Sequence, residues 1–185
     1  MLFDFYEDSK RDDGSYWVQD YLLSKPQQLY VFSTHSHKDH FNPAIFEWGG
    51  INKNIKYIIS KEVADVHTLP EGKDITLLDI LQTYKDDNLA VRAYGSTDVG
   101  GSFCVEAEGK RFFHAGDLNN WHWNEEVSII EAAGYENSYL CELELLAEHT
   151  SNIFLAMFPI DPRLGADYMK GAEQFVSRIS VAHLA

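Results

Sequence analysis

The chain has 185 residues, 45% of them hydrophobic and 24% charged, which suits a single soluble globular domain with its own core. Its 29 acidic residues outnumber 15 lysines and arginines, and a net charge of −14 repels phosphate backbones, so nucleic acid is excluded as the expected partner. The acidic opening segment lacks the apolar stretch of a signal peptide, and no apolar run approaches the ~18 residues of a membrane span, so a cytoplasmic location without a membrane partner is expected.

In chain order, the apolar run Leu29-Tyr30-Val31-Phe32 reads as a buried strand bounded by Pro26 and a polar stretch. Asn42 as N-cap and Pro43 at the first helical position open a short helix to about Trp48, stopped by Gly49-Gly50. Residues 55–59, 75–80 and 89–94 read as strands by their β-branched and aromatic content. Residues 102–107 and 110–114 flank Glu108-Gly109 as a hairpin.

Residues 124–133 and 136–149 read as two helices broken at Gly134, with Leu140, Leu143 and Ala147 at helical spacing. A strand over 153–158, an amphipathic helix marked by Met169, Ala172, Phe175, Val176 and Ile179, and a strand over 181–185 complete the order. The alternation predicts layered sheet and helix. Cys104 and Cys141 form no CxxC pair, and both are expected to be buried free thiols.

The segment that carries chemistry is Ser33 to His40. Three of the eight histidines lie there, with Asp39 among them. His35 and His37, two apart at the end of a strand, project to one side, and the following turn swings Asp39 and His40 around the same point. Imidazole and carboxylate suit a divalent ion, with zinc first and manganese or iron as alternatives, and four ligands can serve one ion or two. The competing reading is a solvated polar loop. It does not explain four potential ligands at the carboxyl end of a buried strand.

His35-Ser36-His37-Lys38-Asp39-His40 resembles the HxHxDH signature of the metallo-β-lactamase superfamily, and Phe113-His114-Ala115-Gly116-Asp117 resembles its strand-end GD motif. Asp161-Pro162-Arg163-Leu164-Gly165, Gly95-Ser96-Thr97-Asp98 and Leu118 to Trp123 resemble a branch of metal-dependent hydrolases related to ascorbate-6-phosphate lactonases and ribonuclease Z-like enzymes. The resemblance covers most of the chain. It implies an α+β fold, a four-layer αββα sandwich, as one domain over residues 1–185. It implies that His35 and His37 bind a first metal, that Asp39 and His40 bind a second, and that Asp117 bridges them. Such a site activates water near neutral pH and stabilises an oxyanion.

The chain departs from that pattern in three places. Ser96 stands where a third histidine for the first metal is expected, leaving Asp98 or a water held by Ser96 as the substitute. His183 falls inside the last strand, before the place of the final ligand, and reads as a strand residue. Leu2 to Tyr6 resembles the strand after an N-terminal hairpin. The resemblance therefore implies about 20 further residues before Met1 and a strand-end histidine after Ala185.

Around this core, His114 is expected to orient Asp117 or a water, or else to face a helix. Trp121, His122 and Trp123 are candidate pocket walls, with core packing the competing reading for one of the tryptophans. Arg163 clamps a substrate anion or pairs with Asp161, with the ion pair favoured. Glu142, Glu144 and Glu148 read as a solvated helical face.

The function expected is a metal-dependent hydrolase acting through a water oriented and deprotonated by Asp39. The expected partner is a small ester, lactone or phosphoester, and nothing in the residues specifies an oligomer. The alternative is a non-catalytic metal-binding domain of the same fold, favoured by Ser96. Di-iron redox chemistry ranks third, because such sites usually carry glutamate at the position of His37.

Overall fold

The computed structural model describes residues 1–185, and the chain divides into two compact units, Met1–Asp79 and Ile80–Ala185. The first unit carries β1 (Leu2–Phe3), a π-helical turn (Trp17–Leu22), β2 (Leu29–Ser33), a 3-10 helix (Pro43–Gly50), β3 (Ile55–Ser60), α1 (Lys61–Val66) and β4 (Ile75–Leu78). Its four strands lie in the order β1-β2-β3-β4, all parallel. Every residue of β2 is buried, as a continuous apolar strand in a parallel sheet requires. Val31, Tyr57 and Ile59 meet Ile45 and Trp48 of the 3-10 helix and Val63 of α1 in one cluster.

Asn42 accepts from the Ala44 N–H and Pro43 opens the 3-10 helix, as expected from sequence. That helix continues through Gly49 and Gly50 and ends on the Ile51 N–H bond to Trp48 O. Helix α1 was not expected. It has six residues, of which only Val63 is buried, so it carries no readable apolar period.

The second unit holds β5 (Thr83–Lys85), β6 (Leu89–Tyr94), β7 (Ser102–Ala107), β8 (Lys110–His114), α2 (Ile129–His149), β9 (Asn152–Met157), a 3-10 segment (Pro162–Asp167), α3 (Lys170–Arg178) and β10 (Ser180–Leu184). The six strands run in the order β10-β9-β8-β7-β6-β5, antiparallel from β5 to β8 and parallel from β8 to β10. The parallel steps need crossovers, and α2 and α3 supply them. Tyr139, Leu143 and Leu146 of α2 and Phe175 of α3 pack with Phe113 and Ala156 of the sheet. The hairpin turn falls at Glu108 and Gly109, both with positive φ (51° and 71°), the conformation a two-residue turn requires.

Four expectations are corrected. Residues 124–149 are not two helices: α2 starts at Ile129, is continuous through Gly134 and is capped by Ser128, whose hydroxyl and backbone form a capping box with Glu131. The strand expected over 75–80 ends at Leu78, and β5, three residues long, follows it. Cys104 is buried as expected, but Cys141 is exposed on α2. Glu142 is not solvated like Glu144 and Glu148. It is half-buried, its Oε2 has no hydrogen-bond partner, and its carboxylate packs closely against Gly95. No helix is long and apolar enough to cross a membrane.

Candidate metal centre

The histidine loop begins where β2 ends. Thr34 and His35 are fully buried, His40 is half-buried, and His37 and Asp39 face outward. His35 Nε2 stands 3.1 Å from His37 Nδ1, and the His35 ring lies 4.0 Å from that of His40. Asp39 Oδ2 is 3.7 Å from His40 Nε2. The loop thus gathers its three imidazoles and brings Asp39 beside one of them.

A residue that reads in the sequence only as part of a strand organises this cluster. Asp4, with a side chain 6% exposed, accepts the Thr34 N–H at Oδ1 (2.8 Å) and both the Thr34 hydroxyl (2.7 Å) and His40 Nδ1 (2.7 Å) at Oδ2. The Thr34 hydroxyl spends its one proton on Asp4. It can therefore only accept from His35 Nδ1, 3.0 Å away. As neutral rings, His35 and His40 then both carry the proton on Nδ1 and an unprotonated Nε2, the form in which imidazole binds a metal. The signal for Asp4 was available in the sequence: an acid between Phe3 and Phe5, in an apolar segment where acids are costly unless partnered.

Glu62 of α1 holds the same loop by accepting the Ser36 N–H (2.8 Å) and hydroxyl (2.6 Å), and His67 Nε2 lies 3.4 Å from Ser36 O. The donor set fits a divalent ion. Nitrogens sharing a tetrahedral ion at about 2.0–2.1 Å stand roughly 3.3 Å apart, close to the His35–His37 separation.

In the second unit, β8 leads into the tight turn at Ala115-Gly116-Asp117, with Gly116 at φ 55°. The Gly116 N–H donates to His114 Nδ1 (3.0 Å) and Trp121 Nε1 donates to Asp117 O (2.8 Å). His114 therefore braces the backbone that presents Asp117. The Thr97 hydroxyl donates to Asn119 O (2.7 Å) and accepts the Asn119 N–H (3.0 Å), tying the loop after β6 to the loop after β8. Ser96 Oγ accepts the Asp98 N–H (3.2 Å), so the serine at the missing-histidine position shapes the turn that carries Asp98.

Asp98 and Asp117 both line a cleft of about 320 Å³ whose other walls are Thr97, Trp121, Trp123, Tyr135 and Arg163. The Trp121 and Trp123 rings are stacked 6.1 Å apart. Arg163 pairs with Asp161 through Nε and Nη2, as favoured from sequence, and lies over Trp123 at 5.9 Å. The pairing holds the Asp161 carboxyl below its ordinary value.

His122 does not wall the cleft. It is buried, its Nδ1 accepts the Asn124 N–H (3.1 Å) and its Nε2 donates to Asp167 O (3.2 Å), so both nitrogens are committed to holding loops. His183 sits on β10 opposite Leu155, its ring edge-on to Phe154, as a strand residue.

No family model and no curated protein matches the sequence. Solved structures do. Igni18, a metallo hydrolase from Ignicoccus hospitalis, is 16% identical with a TM-score of 0.59, covering 95% of this chain and 67% of its own. A protein assigned as a metal-dependent hydrolase from Parabacteroides distasonis is 14% identical with a TM-score of 0.58, covering 96% of this chain and 84% of its own. CmlA, a diiron β-hydroxylase from Streptomyces venezuelae, is 12% identical with a TM-score of 0.56 over 86% of this chain. This chain spans only 35% of CmlA's length. At such identities the likeness establishes the fold: a mixed α and β architecture with two sheets, of the metallo-β-lactamase type, shared with metal-dependent hydrolases.

Proposed function

We propose that this chain is a metal-dependent hydrolase of a small ester, lactone or phosphoester, working as one domain in the cytoplasm. His35, His37, Asp39 and His40 of the first unit and Asp117 of the second would hold one or two divalent ions, zinc first. Asp98 would stand in for the histidine that Ser96 replaces. The observation that carries this reading is the Asp4–Thr34 network, which directs the Nδ1 atoms of His35 and His40 to hydrogen-bond acceptors and so favours Nε2 as the ligand atom of the neutral rings. A protein that spends a buried carboxylate on fixing two imidazole tautomers gains a prepared ligand pair, the usual arrangement behind metal-binding histidines.

A divalent ion bound there supplies Lewis acidity toward a substrate oxygen and lowers the pKa of water at the site. The chain's own residues supply the rest. Asp39, largely exposed beside His40, would accept the proton of the attacking water. Trp121, Trp123 and Tyr135 offer apolar faces that pack the non-reacting part of a substrate and exclude water from it. The net charge disfavours a polyanionic substrate.

The test is metal analysis of the purified protein with a screen of chromogenic esters, lactones and phosphoesters. Zinc or manganese near one or two equivalents, with hydrolysis lost in Asp39→Asn, is expected. Substoichiometric metal without turnover would select the non-catalytic reading, and tightly held iron with oxidase activity would select redox chemistry.

A further inference from the structure

A second concave surface lies in the second unit and shares no residue with the tryptophan-walled cleft. Strand register puts two rows of side chains on one face of the sheet. One row runs Lys85, Ala90, Glu106, Arg111 across β5 to β8, and the next runs Thr83, Arg92, Cys104, Phe113. The C-terminal end of α2, with His149 and Thr150, closes the other side, leaving a groove of about 360 Å³.

Three cations therefore face one groove in a chain that carries 14 surplus negative charges. Glu106 is the one acid lining it, and it sits 3.4 Å from Arg111 Nε. Arg92 is half-buried, and its guanidinium makes no hydrogen bond or ion pair. The charges of Arg92 and Arg111 both reach the Cys104 thiol and the Tyr94 hydroxyl on the groove floor. A guanidinium withdrawn from water normally takes a carboxylate partner. Acids are abundant in this chain, yet none is placed on Arg92.

We infer that this groove is a binding site for a small molecule bearing a phosphate or carboxylate, with Arg92 holding the oxyanion and Lys85 and Arg111 flanking it. Guanidinium presents paired donors that match either oxyanion. Adjacent strands are about 4.8 Å apart, so Lys85 and Arg111 stand roughly 14 Å apart at the backbone with Arg92 between them. Arg92 and one flanking cation can therefore grip a single anionic group, and the Tyr94 and Thr150 hydroxyls on the floor add polar contacts. Burial holds the Cys104 thiol protonated, so it serves as floor rather than nucleophile.

The experiment is a nuclear magnetic resonance titration of the full chain with inorganic phosphate and, separately, acetate, against a sodium chloride control. Saturable shifts centred on the amides of Lys85, Arg92, Cys104 and Arg111 are expected. Arg92→Ala should weaken binding at least tenfold, Arg92→Lys less, and Asp117→Asn should leave it unchanged. Tighter phosphate than acetate assigns a phosphate-bearing ligand, and the reverse a carboxylate. Amide dispersion checks the fold, and Arg92→Gln makes the same test should the alanine variant lose it. Binding that survives Arg92→Ala, that disappears with Asp117→Asn, or that follows sodium chloride at every surface cation would overturn the assignment.

Discussion

The two loops that carry the candidate ligands are held in place by different physics. In the first unit carboxylates do it: Asp4 takes three hydrogen bonds from Thr34 and His40, and Glu62 takes two from Ser36. In the second unit the braces around Asp117 are neutral, running from Gly116 to His114, from Trp121 to Asp117 O and between Thr97 and Asn119. Hydrogen bonds to an ionised acceptor are roughly twice as strong as neutral ones. The first loop therefore concentrates its order in one or two residues, whereas the second spreads it over several.

The contrast ranks the effects of substitution on metal affinity. Asp117→Ala removes a proposed direct ligand and should lower affinity by more than ~100-fold, beyond the ~10–100-fold typical of residues that act through a ligand. Asp4→Ala should fall inside that range. It should also destabilise the protein by about 3 kcal/mol, because Thr34 N–H, the Thr34 hydroxyl and His40 Nδ1 lose their buried acceptor. Asp4→Asn keeps an acceptor for Thr34 N–H and should recover part of the stability. His114→Ala removes one neutral brace and should cost near the low end, about tenfold. Competition with a chromophoric chelator measures all four. Equal losses for Asp117→Ala and His114→Ala would show that Asp117 is not a direct ligand, and Asp4→Ala matching His114→Ala in both readouts would dissolve the contrast between the loops.

What the sequence shows of this molecule follows from how local each signal is. The β7–β8 hairpin was legible because Glu108-Gly109 meets a local backbone requirement, and β2 because so short a continuous apolar run, bounded by polar residues, suits a strand buried on both faces. The histidine cluster was legible as adjacent residues. Asp4 stands out only as an acid in an apolar segment, and its role was not legible, because its partners Thr34 and His40 lie 30 and 36 positions away. His122 was misplaced for the reverse reason: nearness to Asp117 in sequence suggested the cleft, while its ring serves Asn124 and Asp167 in the interior. Glu142 reads as one of three solvated acids, and only the tertiary approach of α2 to Gly95 sets it apart.

Glu142 yields the next largest effect, visible in pH dependence. Burial raises its carboxyl above the ordinary 4.5, with the Gly95 N–H only partly opposing the shift. A carboxyl with a higher pKa folded than unfolded holds its proton more tightly in the fold. Its contribution is therefore present below the unfolded value and is lost as pH rises through the folded one. Wild type should lose stability relative to Glu142→Gln across a window that opens near pH 4.5 and extends upward. Taking the difference between the two proteins removes the opposite slopes of Asp13, Glu131, Glu136 and Asp161, whose values are lowered by hydrogen bonds or ion pairs. Denaturant melts at a series of pH values measure it, and parallel curves would mean that the Glu142 site does not penalise charge.

The smallest effect tests why the second unit's long helix resisted reading. Gly134 reads as a break in the sequence, yet α2 passes through it with ordinary helical backbone and its neighbourhood is open, with nothing within 4 Å of where a Cβ would sit. Glycine costs a helix interior about 1 kcal/mol relative to alanine, a penalty that the capping box at Ser128 and the buried Tyr139, Leu143 and Leu146 outweigh. If those two features suffice, Gly134→Ala should stabilise the protein by about 0.5–1 kcal/mol, chiefly by narrowing the unfolded ensemble. The urea midpoint should rise with an unchanged slope, because the surface exposed on unfolding is nearly the same. A stabilised Gly134→Ala would place the helix's order in its cap and buried face, with Gly134 a tolerated defect. A destabilised variant would mean that the backbone at 134 needs the freedom of glycine, and that the break read from the sequence has a physical counterpart in the helix.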